Sequence, residues 1–135
     1  MIEAERLSTL NSLRILDSDP EPFFDALTQA ARTMTGMPIA LISLVDGDRQ
    51  WFKSETGLSG VQEPPRAISF CTWAVQSDVL FEVEDAIENP RFANNPLVVG
   101  PPFVRHYVGA PISAKGESVG TLCLSALSRE KSPKR

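Results

Sequence analysis

The stretch PIALISLVDGDRQWFKSE, residues 38–55, decides the fold class. Residues 38–46 are a nearly unbroken apolar run, β-branched at Ile39, Ile42 and Val45, and so read as a strand buried on both faces. Asp46-Gly47-Asp48 supplies turn-forming residues, and RQWFKSE, 49–55, reads as the returning strand. An antiparallel hairpin is therefore the seed of the sheet.

Upstream, the period changes from two to that of a helix. Residues 2–16 read as a helix with Leu7, Leu10, Leu13 and Leu16 on one stripe, stopped by Pro20. Residues 21–35 read as a second helix, with Phe23, Phe24, Leu27, Ala30, Ala31 and Met34 on one face. Gly36 supplies its left-handed cap and Pro38 its stop. An uncovered leucine stripe is an apolar patch of the kind that marks an interface, so a homodimer through the N-terminal helices is expected.

Downstream, residues 56–66 read as a loop, and Ser69 caps a short helix that turns Phe70, Trp73 and Ala74 toward the sheet. A third strand is expected at 79–83. Residues 85–102 hold four prolines and read as a long loop, which in a compact domain is often a binding element. A final hairpin, 103–112 and 117–126, turns at Ala114-Lys115-Gly116. This order implies an α+β domain: a central antiparallel sheet of five to six strands with helices on both faces. Ile42, Leu44, Val108 and Leu122 are its expected core.

A chain of 135 residues suits one domain. It contains no apolar run long enough to span a bilayer, and its first residues lack a signal-peptide core. A cytoplasmic location without a membrane partner is expected. The tail, 129–135 (REKSPKR), carries four basic residues and one acidic, against a net −7 for residues 1–128. An acidic body argues against a nucleic-acid partner.

The residue types that carry catalysis are sparse. A Ser-His-Asp or Cys-His pair would have to run through His106, the single histidine, which sits inside an expected strand. No glycine-rich phosphate loop or HExxH occurs. Two cysteines and one histidine do not make a protein-only zinc site. No enzyme activity and no metal are therefore expected. Cys71 and Cys123, 52 positions apart, read either as small buried hydrophobes or as a ligand-contacting or redox pair. Trp51, Phe52, Phe70 and Trp73 read as core or as the wall of a sheet-face pocket.

PIALISLVDGDRQWFKSETGL, then PRAISFCTWAV, FEVEDAIENPRFANNPLVVG, RHYVGAPI and VGTLCL, in this order, resemble a bacterial GAF domain. The likeness covers nearly the whole chain, from Glu5 to Leu124. It implies a sheet with helices on both sides, related to PAS-type sensors. It also implies a regulatory role as an input domain, with a kinase or cyclase output as partner. Trp73 stands where histidine is common in such sequences. The family's C-terminal signalling helix has no counterpart before Arg135, which gives an expected domain of 1–128 and a basic tail of 129–135. On this reading the domain is a non-catalytic sensor that binds a small molecule of unknown identity. Its expected contacts are Phe52, Phe70, Cys71, Trp73, Asp85, Arg105 and Thr121. The alternatives are a thiol redox sensor through Cys71 and Cys123, or a dimerisation scaffold with a closed pocket.

Overall fold

The structure, a computed structural model, describes residues 2–57, 66–100 and 103–127. The tail 129–135 and most of the 56–66 loop lie outside the described residues. Helices α1 (Glu3–Ser12) and α2 (Pro22–Thr35) lead into β1 (Ile39–Val45) and β2 (Gln50–Thr56). Then come α3 (Cys71–Ala74), β3 (Phe81–Val83), α4 (Pro96–Val99), β4 (His106–Ala114) and β5 (Glu117–Ala126). The five strands form one antiparallel sheet in the order β2-β1-β5-β4-β3. The α+β class read from the sequence is correct, and the described part of the 85–102 stretch contains α4 and a single turn at Ala86–Glu88.

Strand alternation sorts the core into two layers. Ile39, Leu41 and Val45 of β1 face Phe52, Phe70, Cys71, Tyr107 and Cys123. Leu44 faces the opposite way, onto Leu10, Trp51 and Val119. Helices α1 and α2 cover this second face, and α3 and α4 cover the first. Ile42 and Leu44 are buried as expected, whereas Val108 and Leu122 are only half-buried. Helices α1 and α2 sit over β1, β2 and β5, which leaves that face of β4 partly open.

Both N-terminal helices depart from their sequence reading. Helix α1 ends at Ser12 rather than residue 16, and Arg14 and Asp17 take left-handed conformations, φ 55° and 63°. Leu10 is fully buried, and Leu7 and Leu16 pack with it against Leu44, Trp51 and Val119. Three of the four stripe leucines thus pack against the chain's own sheet, and Leu13 is exposed. Helix α2 docks through a polar contact. The Thr28 hydroxyl lies 2.9 Å from Ser54 Oγ and 3.2 Å from Thr56 Oγ1, and Ser54 donates to Asp25 at 2.6 Å. Its apolar positions Phe23, Leu27 and Met34 are exposed, at 67%, 41% and 84%.

Two buried cations hold the N-terminal segment. Lys53 is the extra residue of a bulge, since Ile42 pairs with Ser54 and Ser43 with Phe52. The bulge sends its ammonium to Glu21 at 2.7 Å and Ser18 Oγ at 2.8 Å. Arg6, fully buried, forks onto Glu3 with bonds of 3.0 and 3.1 Å, and Glu3 also receives Arg66. The hydrogen bonds from Arg6 and Arg66 lower the Glu3 pKa from 4.5 to about 2. A carboxylate whose pKa is lowered on folding stabilises the fold above its unfolded pKa and loses that contribution as pH falls toward its folded one. Acid should therefore loosen α1 between pH 4.5 and about 2. Glu3→Gln should flatten that part of the stability–pH curve and, with Glu3 partly solvated, cost only ~1 kcal/mol at neutral pH. Denaturant melts across this range check it, and an unchanged curve contradicts it.

Candidate functional site

On the face covered by α3, six polar side chains converge in an otherwise apolar core. The centre is Cys71, placed under the sheet by the turn that begins α3. Its Sγ lies 3.0 Å from Tyr107 Oη and 3.0 Å from Thr121 Oγ1. Gln50 Nε2 donates to it at 3.3 Å, and Cys123 Sγ stands 3.8 Å away. All five residues are buried. The strand register brings them together: Gly109 opposes Cys123, Pro111 and Ser43 both oppose Thr121, and Val45 opposes Gln50. Ser43 Oγ is buried and, among the described residues, makes no hydrogen bond, although it lies close enough to Cys71 to act on its charge.

These contacts set the proton inventory. Burial opposes charge on Cys71, but hydrogen bonding with Cys123, Thr121 and Tyr107, and the nearness of the Ser43 hydroxyl, outweigh it. The Cys71 pKa falls to about 6. The hydrogen bond to Cys71 holds the proton on Cys123, and burial and the charge on Cys71 add to this, raising the Cys123 pKa well above its ordinary value. Burial, then the charge on Cys71, raises Tyr107 likewise. The two thiols are thus driven apart in protonation, Cys71 toward the thiolate and Cys123 toward the thiol, across a contact of 3.8 Å. A sulfur placed as Cys71 is nucleophilic, and its surroundings differ from the apolar packing of an inert core thiol.

An apolar wall encloses the cluster. Phe70 stacks on Phe92 at 4.2 Å between ring centroids and meets Tyr107 at 5.1 Å. Phe52 is buried in the same layer. Four of the expected site residues, Phe52, Phe70, Cys71 and Thr121, thus share one layer. The other three are not brought to it. Trp73 is 38% exposed, with the Arg91 guanidinium 4.1 Å above its ring. Asp85 caps the Ala86–Glu88 turn through the Ile87 N–H, and Arg105 donates to the Val98 and Val104 carbonyls. On the outer side of α3, Gly47, Asp48, Arg66, Ser69, Thr72 and Trp73 line an open cleft of about 410 Å³.

Sequence reasoning missed Gln50, Tyr107 and Ser43. The signal was their parity: each faces the same side of the sheet as Cys123 once the register of β1, β2, β4 and β5 is known. Trp73→Ala should cost no more than ~1 kcal/mol, the scale of an exposed cation–π contact. A thermal melt tests this, and a loss typical of a buried aromatic contradicts it.

Among the described residues, no helix is long and apolar enough to cross a membrane. The chain is 40% identical over 123 residues to Cyclic di-GMP phosphodiesterase PA2567 of Pseudomonas aeruginosa. That match covers 90% of this chain and 21% of the relative, so the chain spans about a fifth of that protein's length. The fold is similar to the GAF domain from an Acinetobacter phosphoenolpyruvate-protein phosphotransferase. The TM-score is 0.64 and the identity 18%, over 97% of this chain and 85% of the other. It is also similar to free methionine-R-sulfoxide reductase from Neisseria meningitidis, at TM-score 0.63 and 17% identity, over 95% of this chain and 77% of the other. At these identities the two structures speak for the fold alone. The family model for the GAF domain matches residues 19–134, from the loop before α2 to beyond β5. This chain, with its five-stranded sheet and helices on both faces, belongs to the GAF family.

Proposed function

We propose that this signalling-type domain is a non-catalytic sensory module, and that a small polar molecule reaching the sheet-face cluster under α3 is its input. The observation that carries the reading is the convergence of buried polar side chains on one point of the sheet face, where, among the described residues, Ser43 Oγ has no hydrogen-bond partner of ordinary length. An unpaired buried hydroxyl costs about 1–3 kcal/mol, which a bound molecule with a donor or acceptor recovers. The likeness to a cyclic di-GMP phosphodiesterase supports an output in cyclic di-GMP turnover, carried by segments outside the matched fifth of that relative.

Native mass spectrometry of the chain purified from cells tests the reading. The expected result is a retained small molecule that is released on denaturation and absent from Thr121→Val, whose circular dichroism and melt should stay near wild type. A bare polypeptide mass for wild type, with no change in melting on adding a low-molecular-weight cell extract, overturns it.

A further inference from the structure

We infer that Cys71 and Cys123 are a hydroperoxide-responsive dithiol, in which the incoming small molecule is a peroxide and the product is an intramolecular disulfide. The inference rests on the sheet-face cluster being the point of input, and it names the chemical class read there. Three observations carry it: the two sulfurs lie 3.8 Å apart, the short contacts of Gln50, Tyr107 and Thr121 fall on Cys71, and Cys71 sits on a single-turn helix.

The sulfurs must close from 3.8 Å to the ~2.05 Å of a disulfide, a move within reach of a side-chain rotation of Cys71. Cys123 is fixed in the centre of β5, between β1 and β4, so Cys71 is the partner that moves. The asymmetry of the surroundings assigns the roles. Gln50 donates to Cys71, and the Tyr107 and Thr121 hydroxyls sit beside it, so Cys71 attacks and Cys123 resolves. Cys71 attacks one peroxide oxygen as a thiolate. The O–O bond breaks, the departing oxygen takes a proton and leaves as water, and Cys71 becomes a sulfenic acid. The Cys123 sulfur then attacks Cys71 Sγ. The S–O bond breaks, and the oxygen leaves as a second water with the Cys123 proton. The peroxide gains two electrons and the two thiols lose them.

Burial is the objection, since a sealed thiol does not react. The cover, however, is thin. Helix α3 has four residues, and the open cleft of about 410 Å³ reaches its outer side at Ser69, Thr72 and Trp73. Short elements of this kind open at far smaller cost than the whole fold. The same turn is bonded outward. Thr72 donates to the Arg66 carbonyl, and the Arg66 guanidinium holds Glu3 of α1. A disulfide that draws Cys71 toward β5 therefore pulls on a bonded route to the N-terminal helix.

The test exposes the folded wild-type chain to hydrogen peroxide, quenches it, then alkylates it under denaturing conditions and weighs it intact. Met34, 84% exposed, serves as the internal measure of peroxide dose. Expected is a monomer lighter by two hydrogens in which neither thiol alkylates, with both restored by a reductant. Cys123→Ser should stop at a Cys71 sulfenic acid that dimedone captures, and Cys71→Ser should leave Cys123 unreacted. Tyr107→Phe should slow disulfide formation by about tenfold. Wild type in which both thiols still alkylate after Met34 has become the sulfoxide overturns the inference, as does a disulfide formed only between chains. Unreacted thiols in a chain that retains another small molecule in the native spectrum would remove the peroxide but keep the cluster as the input site. Unreacted thiols in a bare chain would remove both.

Discussion

Phe70→Ala is expected to destabilise the domain by ~3–5 kcal/mol, the usual cost of emptying a well-packed aromatic site. Phe70 is 4% exposed and belongs to the layer that also holds Cys71, Val75, Phe92, Val98 and Tyr107. Its ring stacks on Phe92 with an interplanar angle of 6°, so the truncation also unpacks that face of Phe92. Phe70 stands directly before Cys71, and its carbonyl accepts from Trp73 and Ala74 to close the α3 turn. Collapse into the vacated space would therefore shift Cys71 as well. Chemical denaturation measures the loss. A change under about 1 kcal/mol would mean that the α3 layer is loosely packed and that the cluster beneath it is not enclosed.

Gly120→Ala is the second large effect, and its cause is the backbone. A Cβ at position 120 would fall 2.2 Å from the Ser43 carbonyl oxygen and 3.0 Å from Leu44 Cα. No rotamer relieves a clash with a neighbouring strand, so β1 and β5 must separate at the centre of the sheet. The expected cost is ~3 kcal/mol or more, at the upper end of overpacking. Position 120 also lies at the register shift where Ile112 pairs with Gly120 and Ser113 with Ser118. That shift turns Val119 onto the α1 face, beside Leu10. The variant should therefore weaken α1 packing and displace Ser43 and Thr121 together. Equal melting temperatures for the variant and wild type contradict this account.

The sheet was legible because its strands obey simple local rules. Apolar 38–46, the turn at Asp46-Gly47-Asp48 and the hairpin through Ala114-Lys115-Gly116 each announce themselves, and β5 falls at Glu117–Ala126 as read. The helices were less legible, and for a physical reason. Periodicity finds an apolar stripe but does not say which face the sheet will take. In α2 the stripe through Phe23, Leu27 and Met34 is exposed, while Thr28 docks by hydrogen bonds to Ser54 and Thr56. In α1 the leucines were found, but Arg6, the side chain that locks the helix down, reads in sequence as a solvated charge.

The site was half legible for the same reason. Cys71 and Thr121 stood out by residue type, and Phe52 and Phe70 as aromatics beside them. Which polar groups reach Cys71 depends on strand register and on how α3 seats over the sheet, which joins residues as distant as Cys71 and Cys123. Trp73 misled because one position along a single turn of helix separates the sheet side from solvent. Asp85 and Arg105 are polar residues in a loop, where Asp85 accepts from the Ile87 N–H and Arg105 donates to the Val98 and Val104 carbonyls.

The amide spectrum of the nitrogen-labelled chain, recorded as a low-molecular-weight cell extract is added, tests the location of the input most directly. The account predicts shifts confined to Ser43, to Gln50, to the turn 69–74, and to Tyr107, Thr121 and Cys123, fading when Thr121 is replaced by valine. Shifts confined to the exposed face of α2, or a spectrum that does not move, would contradict it.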